Sequence, residues 1–213
     1  ARRQTDRLAR LISEMLDVSR IESGRLDLQP QELDLGPLVR EAAATLAAEL
    51  ERSGTPLELD LAEGVVGCWD RLRLEQLVTN LLQNAAKYGN GKPIRVELRL
   101  APGTEPGAAG VARLSVEDQG IGIPAEDQAR IFGRFERAVS SRNYGGMGVG
   151  LFIVEQIVKA HRGAIAVQSE PGAGATFVVE LPLALPAARG AEAPAERGTR
   201  GAALGSPEHR GPP

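Results

Sequence analysis

The stretch Asn80-Leu81-Leu82-Gln83-Asn84-Ala85-Ala86-Lys87-Tyr88 decides how this chain is read. Wound as a helix, Leu74, Leu77, Val78, Leu81, Leu82 and Ala85 make one apolar stripe that must face a core. Asn80, Asn84 and Lys87, spaced i, i+4 and i+7, fall together on another side. Amide oxygens suit a hard cation such as magnesium, which keeps several waters and shares phosphate oxygens. A neighbouring lysine suits the phosphates themselves. The plain alternative is a capped polar helix side that carries asparagine without using it.

Two further segments bear on that choice. Asp118-Gln119-Gly120-Ile121-Gly122-Ile123-Pro124 follows an alternating apolar run, Val111 to Val116, that reads as a strand. Its glycines let the backbone approach a flat ligand, and Asp118 at the strand end can accept a hydrogen bond from an exocyclic amine. A plain Asp/Gly turn is the alternative. Gly145-Gly146-Met147-Gly148-Val149-Gly150-Leu151 runs straight into the helical pattern Phe152 to Ala160. Glycines feeding a helix N-terminus offer N–H groups and the positive dipole end to an anion. This loop lacks the Gly-Lys-Ser/Thr ending of a P-loop.

In this order, the pieces resemble the ATP-binding catalytic domain of sensor histidine kinases, a branch of the gyrase, heat-shock chaperone, histidine kinase and mismatch-repair ATP-binding folds. The resemblance spans roughly residues 1 to 183 and rests on five separated motifs. It implies an α+β fold, a two-layer sandwich of a mixed sheet with helices on one face, preceded by a coiled-coil-like dimerisation helix. By that resemblance Asn80 and Asn84 are the asparagine box and the magnesium ligands, with Asn84 the stronger candidate. Lys87 is a phosphate contact and Tyr88 packs beside the adenine. Asp118 reads the adenine, with Gly120, Gly122 and Ile123 beside it. Ile131-Phe132-Gly133-Arg134-Phe135-Glu136-Arg137 resembles the phenylalanine box, in which Phe132 braces the lid and Arg137 reaches phosphate. Gly146, Gly148, Val149, Gly150 and Leu151 correspond to the second glycine box. Gly172-Ala173-Gly174-Ala175-Thr176-Phe177 resembles the last glycine–threonine turn, which makes Thr176 a cofactor contact. Met147 stands where the family often has threonine, so a hydroxyl contact is lost there while the backbone cradle stays.

Composition sets outer bounds. The 213 residues are 42% hydrophobic and 25% charged, with a net charge of −3, so bulk electrostatics give no reason to expect nucleic acid. Aromatic residues are 3% of the chain, too few for a base-stacking platform. The single Cys68 excludes an intrachain disulfide and reads as a small buried hydrophobe. No apolar run approaches the roughly 18 residues of a membrane span. The expected location is the cytoplasm, with any membrane anchor upstream.

Residues 1–23 read as one helix: Leu8, Leu11, Met15 and Val18 alternate by three and four, and Ile12, Leu16 and Ile21 widen the stripe. It needs a partner, which the resemblance supplies as the second helix of a dimerisation and phosphoacceptor hairpin. Packing on its own domain is the alternative. Gly24 stops this helix, Arg25 to Gln29 alternates like a strand, and Pro30 turns the chain. A helix follows from Leu35 to Glu51, then strands at 57–61 and 65–69, with Asp70 as N-cap of the asparagine helix. Strands at 94–100 and 111–118, a lid at 138–147, a helix from 148 to His161 and a hairpin at 164–168 and 175–181 complete a domain spanning 24–183. Residues 184–213 hold eight Ala, five Gly and five Pro without periodicity, so disorder is expected there.

A phosphoryl acceptor would be histidine, and there are two. His209 is in the tail. His161, in Lys159-Ala160-His161-Arg162-Gly163, suits a helix C-terminus and needs no chemistry to explain it. The resemblance places the acceptor histidine in a helix before Ala1, so the chain is expected to bind Mg2+ and ATP without carrying the nucleophile. The implied partners are a response-regulator receiver domain, which takes the phosphoryl group onto an aspartate, and a second copy through the hairpin helix. Two other readings share the nucleotide motifs. An ATP-driven mechanical domain uses a glutamate four residues before the magnesium asparagine, and Asn80 there cannot act as a base. An anti-sigma-type serine kinase or ATP-gated switch is the other.

Overall fold

The computed structural model describes residues 12, 15–19, 21, 26–103, 110–136 and 147–184. Most of the expected N-terminal helix, its stop at Gly24, Arg137, Gly146, most of the expected lid and nearly all of the tail lie outside the described residues. The elements run β1 (Gln31–Asp34), α1 (Leu35–Ser53), β2 (Leu57–Leu61), β3 (Val66–Trp69), α2 (Arg71–Tyr88), β4 (Ile94–Ala101), β5 (Val111–Asp118), α3 (Ala125–Gln128), α4 (Gly150–Ala160), β6 (Ala164–Glu170) and β7 (Gly174–Pro182).

Local chemistry sets the boundaries. Asp34 caps α1 by accepting from the Gly36 amide, and Gly54 ends it in the left-handed conformation at φ 66°. Asp70 caps α2 by accepting from the Arg73 amide at 3.0 Å. The strand expected at Arg25–Gln29 is a correction: residues 26–30 have no regular structure, and the strand starts after Pro30. The Gln29 amide donates to the Asp70 carboxylate at 2.8 Å, where a strand would give it to a ladder. The alternation of Leu26 and Leu28 therefore records half-burial without strand pairing.

Five strands form an open mixed sheet in the order β2-β4-β5-β7-β6. β2 and β4 are parallel, and the other three pairs are antiparallel. Period two then sorts the side chains. Ile94, Val96 and Leu98 of β4 and Ala112, Leu114 and Val116 of β5 face inward and are essentially inaccessible. Arg95, Glu97, Arg99, Arg113 and Glu117 alternate with them on the outer side. The stripes of α1, α2 and α4 join the inward residues in one hydrophobic cluster, which gives the α+β arrangement of a sheet with helices on one face. Leu81 and Leu82 are completely buried there, so truncating either to alanine costs about 2–5 kcal/mol.

β1 and β3 form a separate antiparallel pair. Trp69 is fully buried and its indole N–H donates to the Pro182 carbonyl at 2.8 Å, while the Cys68 amide donates to Leu183. These bonds tie the small sheet to the end of β7. The described part of the N-terminal helix, residues 12, 15–19 and 21, places Val18 and Ile21 against the core cluster. Ile12, Met15 and Leu16 stay exposed, so its apolar stripe is divided between the domain and solvent. Among the described residues no helix is long and apolar enough to cross a membrane.

Candidate nucleotide site

The site forms where the C-terminal end of α2, the end of β5 and the start of α4 meet. Asn84, Lys87 and Tyr88 reach it from α2, Asp118 from β5, Ile121 to Ile123 from the following loop, and Gly148, Gly150 and Leu151 from the start of α4. Ile131, Glu136, Ala175 and Phe177 complete the lining. The enclosed space is about 100 Å³. That is several times the roughly 10–15 Å³ that one water requires.

Asp118 is one of three charged residues lining this cavity, with Lys87 and Glu136. Its register partners are Ile94 and Ala175, both inward positions, so strand alternation alone sends its carboxylate into the apolar layer. It is 6% exposed. Burial pushes its carboxyl above the usual range, and hydrogen bonds from the Gly120 and Ala175 amides act the other way. The Gly120 bond to Oδ1 is 2.8 Å. A carboxylate held at a cavity wall by backbone donors is built to accept a further N–H from a ligand.

The loop after Asp118 is held by its own chain. A Cβ on Gly120 would lie 2.0 Å from the Tyr88 carbonyl oxygen, and one on Gly122, at φ 68°, would lie 1.9 Å from that of Glu170. The glycines therefore serve the packing of the loop onto α2 and β6 before any ligand arrives. Ser169 Oγ accepts from the Ile123 amide at 2.8 Å and donates to Gly174, and Gln128 Nε2 donates to the Ile123 and Ser169 carbonyls. Ser169 and Gln128 position this wall, and neither sits in a sequence motif that marks it.

On α2, the Lys87 ammonium donates to the Tyr88 hydroxyl at 2.8 Å and lies 4.4 Å from its ring centroid. Asn84, one turn earlier, presents a carboxamide to the same cavity. Asn80 is half-buried beside α4, and a Cβ on Gly150 would lie 3.9 Å from its Oδ1. Among the described residues no group of three His, Cys, Asp or Glu could hold a metal ion. A cation here would rely on amide oxygens, water and the ligand's own phosphates, a donor set that fits magnesium. α4 begins at Gly150 without a side-chain cap on its first turn. Its free amides and positive dipole end adjoin the cavity through Gly148, Gly150 and Leu151.

The sequence-derived residues divide accordingly. Asn84, Lys87, Tyr88, Asp118, Gly122, Ile123, Gly148, Gly150 and Leu151 line the cavity. Gly120 holds Asp118, and Phe132 packs edge-on against Phe177 with centroids 6.4 Å apart. Val149 is buried in the core cluster. Thr176 does not line the cavity. It pairs across from Glu117 and Gln168 on the outer side of the sheet, and its neighbours Ala175 and Phe177 point into the cavity. Arg137 and Gly146 lie outside the described residues. Glu136 was not singled out from sequence; it lines the cavity and accepts from Arg130 at 2.9 Å.

His161 stands apart. It is fully buried, its Nε2 accepts from the Asp70 amide at 3.0 Å, and its Nδ1 lies 2.8 Å from the Ile157 carbonyl. Burial lowers its pKa. This is a neutral imidazole with the proton on Nδ1, so the helix-dipole role expected of a charged histidine does not apply.

Comparison with known proteins agrees with this geometry. Residues 69–185 match the family model described as histidine kinase-, DNA gyrase B-, and HSP90-like ATPase. The signal transduction histidine-protein kinase BarA of Escherichia coli is 36% identical over 191 residues, covering 86% of this chain and 20% of that protein. Sensor histidine kinase MtrB of Mycobacterium bovis is 32% identical over 183 residues, covering 84% of this chain and 31% of MtrB. The crystal structure of full-length ShkA in complex with AMPPNP superposes with a TM-score of 0.73 at 28% identity, covering 88% of this chain and 38% of ShkA. The chain thus spans between a fifth and a third of these two curated relatives. It belongs to the histidine kinase-, DNA gyrase B-, and HSP90-like ATPase family, and within that family it matches sensor histidine kinases.

Proposed function

We propose that this chain is the catalytic part of a two-component sensor histidine kinase, binding Mg–ATP and passing its terminal phosphoryl group to a histidine upstream of Ala1. Residues 24–183 would be the nucleotide domain and 1–23 the second helix of a dimerising hairpin. The observation that carries the reading is the pairing of a buried Asp118 with an amide- and ammonium-lined helix end across one cavity. Asp118 accepts the exocyclic amine of adenine, with Tyr88, Ile123 and Leu151 against the base. Asn84, aided by Asn80, holds the cation, which would neutralise phosphate charge when bound. Lys87 and the open amides of α4 receive the phosphates, and Gly146 and Arg137 would extend that cradle.

In the transfer, the bond from the terminal phosphorus to its bridging oxygen breaks, a phosphorus–nitrogen bond to imidazole forms, and ADP leaves. The chain's contribution is positioning and charge neutralisation. An aspartate of a response-regulator receiver domain then takes the group. The domain would work on the cytoplasmic side, and a second copy would join through the hairpin. Calorimetry with and without magnesium tests the first step. Magnesium-dependent ATP binding that Asn84→Ala weakens is expected, and absence of ATP binding by the unaltered chain would refute the reading.

A further inference from the structure

The described part of the N-terminal helix is joined to α2 by a part-buried polar cluster around the buried Asp17. Asp17 Oδ1 accepts from Arg73 Nη1 at 3.0 Å, and Asp17 Oδ2 accepts from Gln76 Nε2 at 2.7 Å. Arg73 Nη1 also donates to Gln76 Oε1 at 2.9 Å, which closes the triangle. The Asp17 and Arg73 side chains are only 9% and 13% exposed. Every other ion pair among the described residues has at least one partner more than a third exposed. Arg73 and Gln76 lie one turn apart on the helix that carries Asn84 and Lys87. Asn84 lies about 12 Å beyond Gln76 along it at 1.5 Å per residue.

Val18 and Ile21 supply the apolar part of the contact. Such residues alone specify seating poorly, because a helix can roll or slide on an apolar surface. A desolvated aspartate that must meet two donors at once does not tolerate that. Buried ion pairs generally add little net stability, and their best-attested use is to fix one register.

We propose that Asp17, Arg73 and Gln76 form a polar latch that gives the upstream helix a single seating on α2, so that a rotation or shift of that helix is handed directly to the helix bearing the site's amides. The seating is independent of the nucleotide reading; its consequence for phosphoryl transfer rests on that reading.

The test uses spin labels at Ser19→Cys and Glu49→Cys, both exposed, in the full chain with Cys68→Ser, and pulsed dipolar distance measurement. One narrow distance is expected for the parent and a broadened or second distance for Asp17→Ala. The triple variant Asp17→Leu, Arg73→Met, Gln76→Leu keeps an apolar contact, yet should also lose the single distance. A broad distance in the parent, or a narrow parental distance retained by either variant, overturns the proposal. ATP affinity, measured alongside, should stay within about twofold across variants. Loss of ATP binding in the parent would sink the nucleotide reading and leave the latch standing.

Discussion

The Asp70 amide donates to Nε2 of His161 at 3.0 Å, joining the residue that caps α2 to the residue that ends α4. Asp70 also accepts from Arg73 and Gln29, so one buried aspartate fixes the start of α2, the preceding loop and the end of α4. α2 carries Asn84 and Lys87, and α4 begins in the glycine turn. The bond therefore sets the relation between two walls of the site from their far ends.

His161→Ala removes the acceptor of a buried amide and leaves a void. It should destabilise the domain by about 2–4 kcal/mol in chemical denaturation. With both ring nitrogens engaged and no exposure, His161 should take no label from radioactive ATP. Acid-labile phosphate on His161 would contradict this placement.

The same residue gives a pH dependence. Its folded pKa is lowered, so below the ordinary value of 6.5 the unfolded chain binds more protons than the folded one. The stability it contributes is fully present above pH 6.5 and is lost as pH falls through the folded pKa. Unfolding free energies between pH 7.5 and 5 should fall more steeply in the parent than in His161→Gln. Parallel curves would show that His161 is not the titrating group.

Asp118 has the opposite sign. Its folded pKa is raised, so the empty protein binds the extra proton and this group's contribution weakens as pH rises through that window. A ligand amine favours the ionised form and should expel the proton. Calorimetry near pH 5 in two buffers of different ionisation enthalpy should show proton release on ATP binding, absent in Asp118→Asn. Asp118→Ala should weaken ATP about 10- to 100-fold, the range for a hydrogen bond to a charged group, and reduce discrimination against GTP.

Glycine substitutions separate backbone packing from backbone strain. Gly120→Ala drives a Cβ to 2.0 Å from a backbone carbonyl and should lower the melting temperature markedly. Gly64→Ala, at φ 69° with no atom within 4 Å, carries conformational strain alone, about 1 kcal/mol. Equal shifts in melting temperature would mean that the loop moves away from Tyr88 at little cost.

Much of this was legible in sequence because the elements are strongly periodic. The stripe from Leu74 to Ala85 and the alternation of Val111 to Asp118 each bury one face, and both elements form where expected. Asn84 and Lys87 share one face of α2 at i and i+3, Asp118 ends β5 before a glycine turn, and all three line the same cavity. The segment before Pro30 was misread as a strand because Leu26 and Leu28 mimic strand alternation. That Thr176 lies off the cavity was hidden in a glycine-rich turn, which does not show which residue begins the ladder; one residue of register exchanges inside for outside. Ser169 and Gln128 act through bonds to residues 46 and 41 positions away or less, which no local pattern carries.

Phosphoryl transfer from this chain to a supplied acceptor is the most direct measurement. With radiolabelled ATP and magnesium, the chain alone should gain no acid-labile phosphate, and a hairpin polypeptide bearing an acceptor histidine should become labelled. Asn84→Ala should abolish that labelling, since the cation would no longer be held against the phosphates. Labelling that persists undiminished in Asn84→Ala, or a hairpin that stays unlabelled while the unaltered chain binds Mg–ATP, would contradict the account.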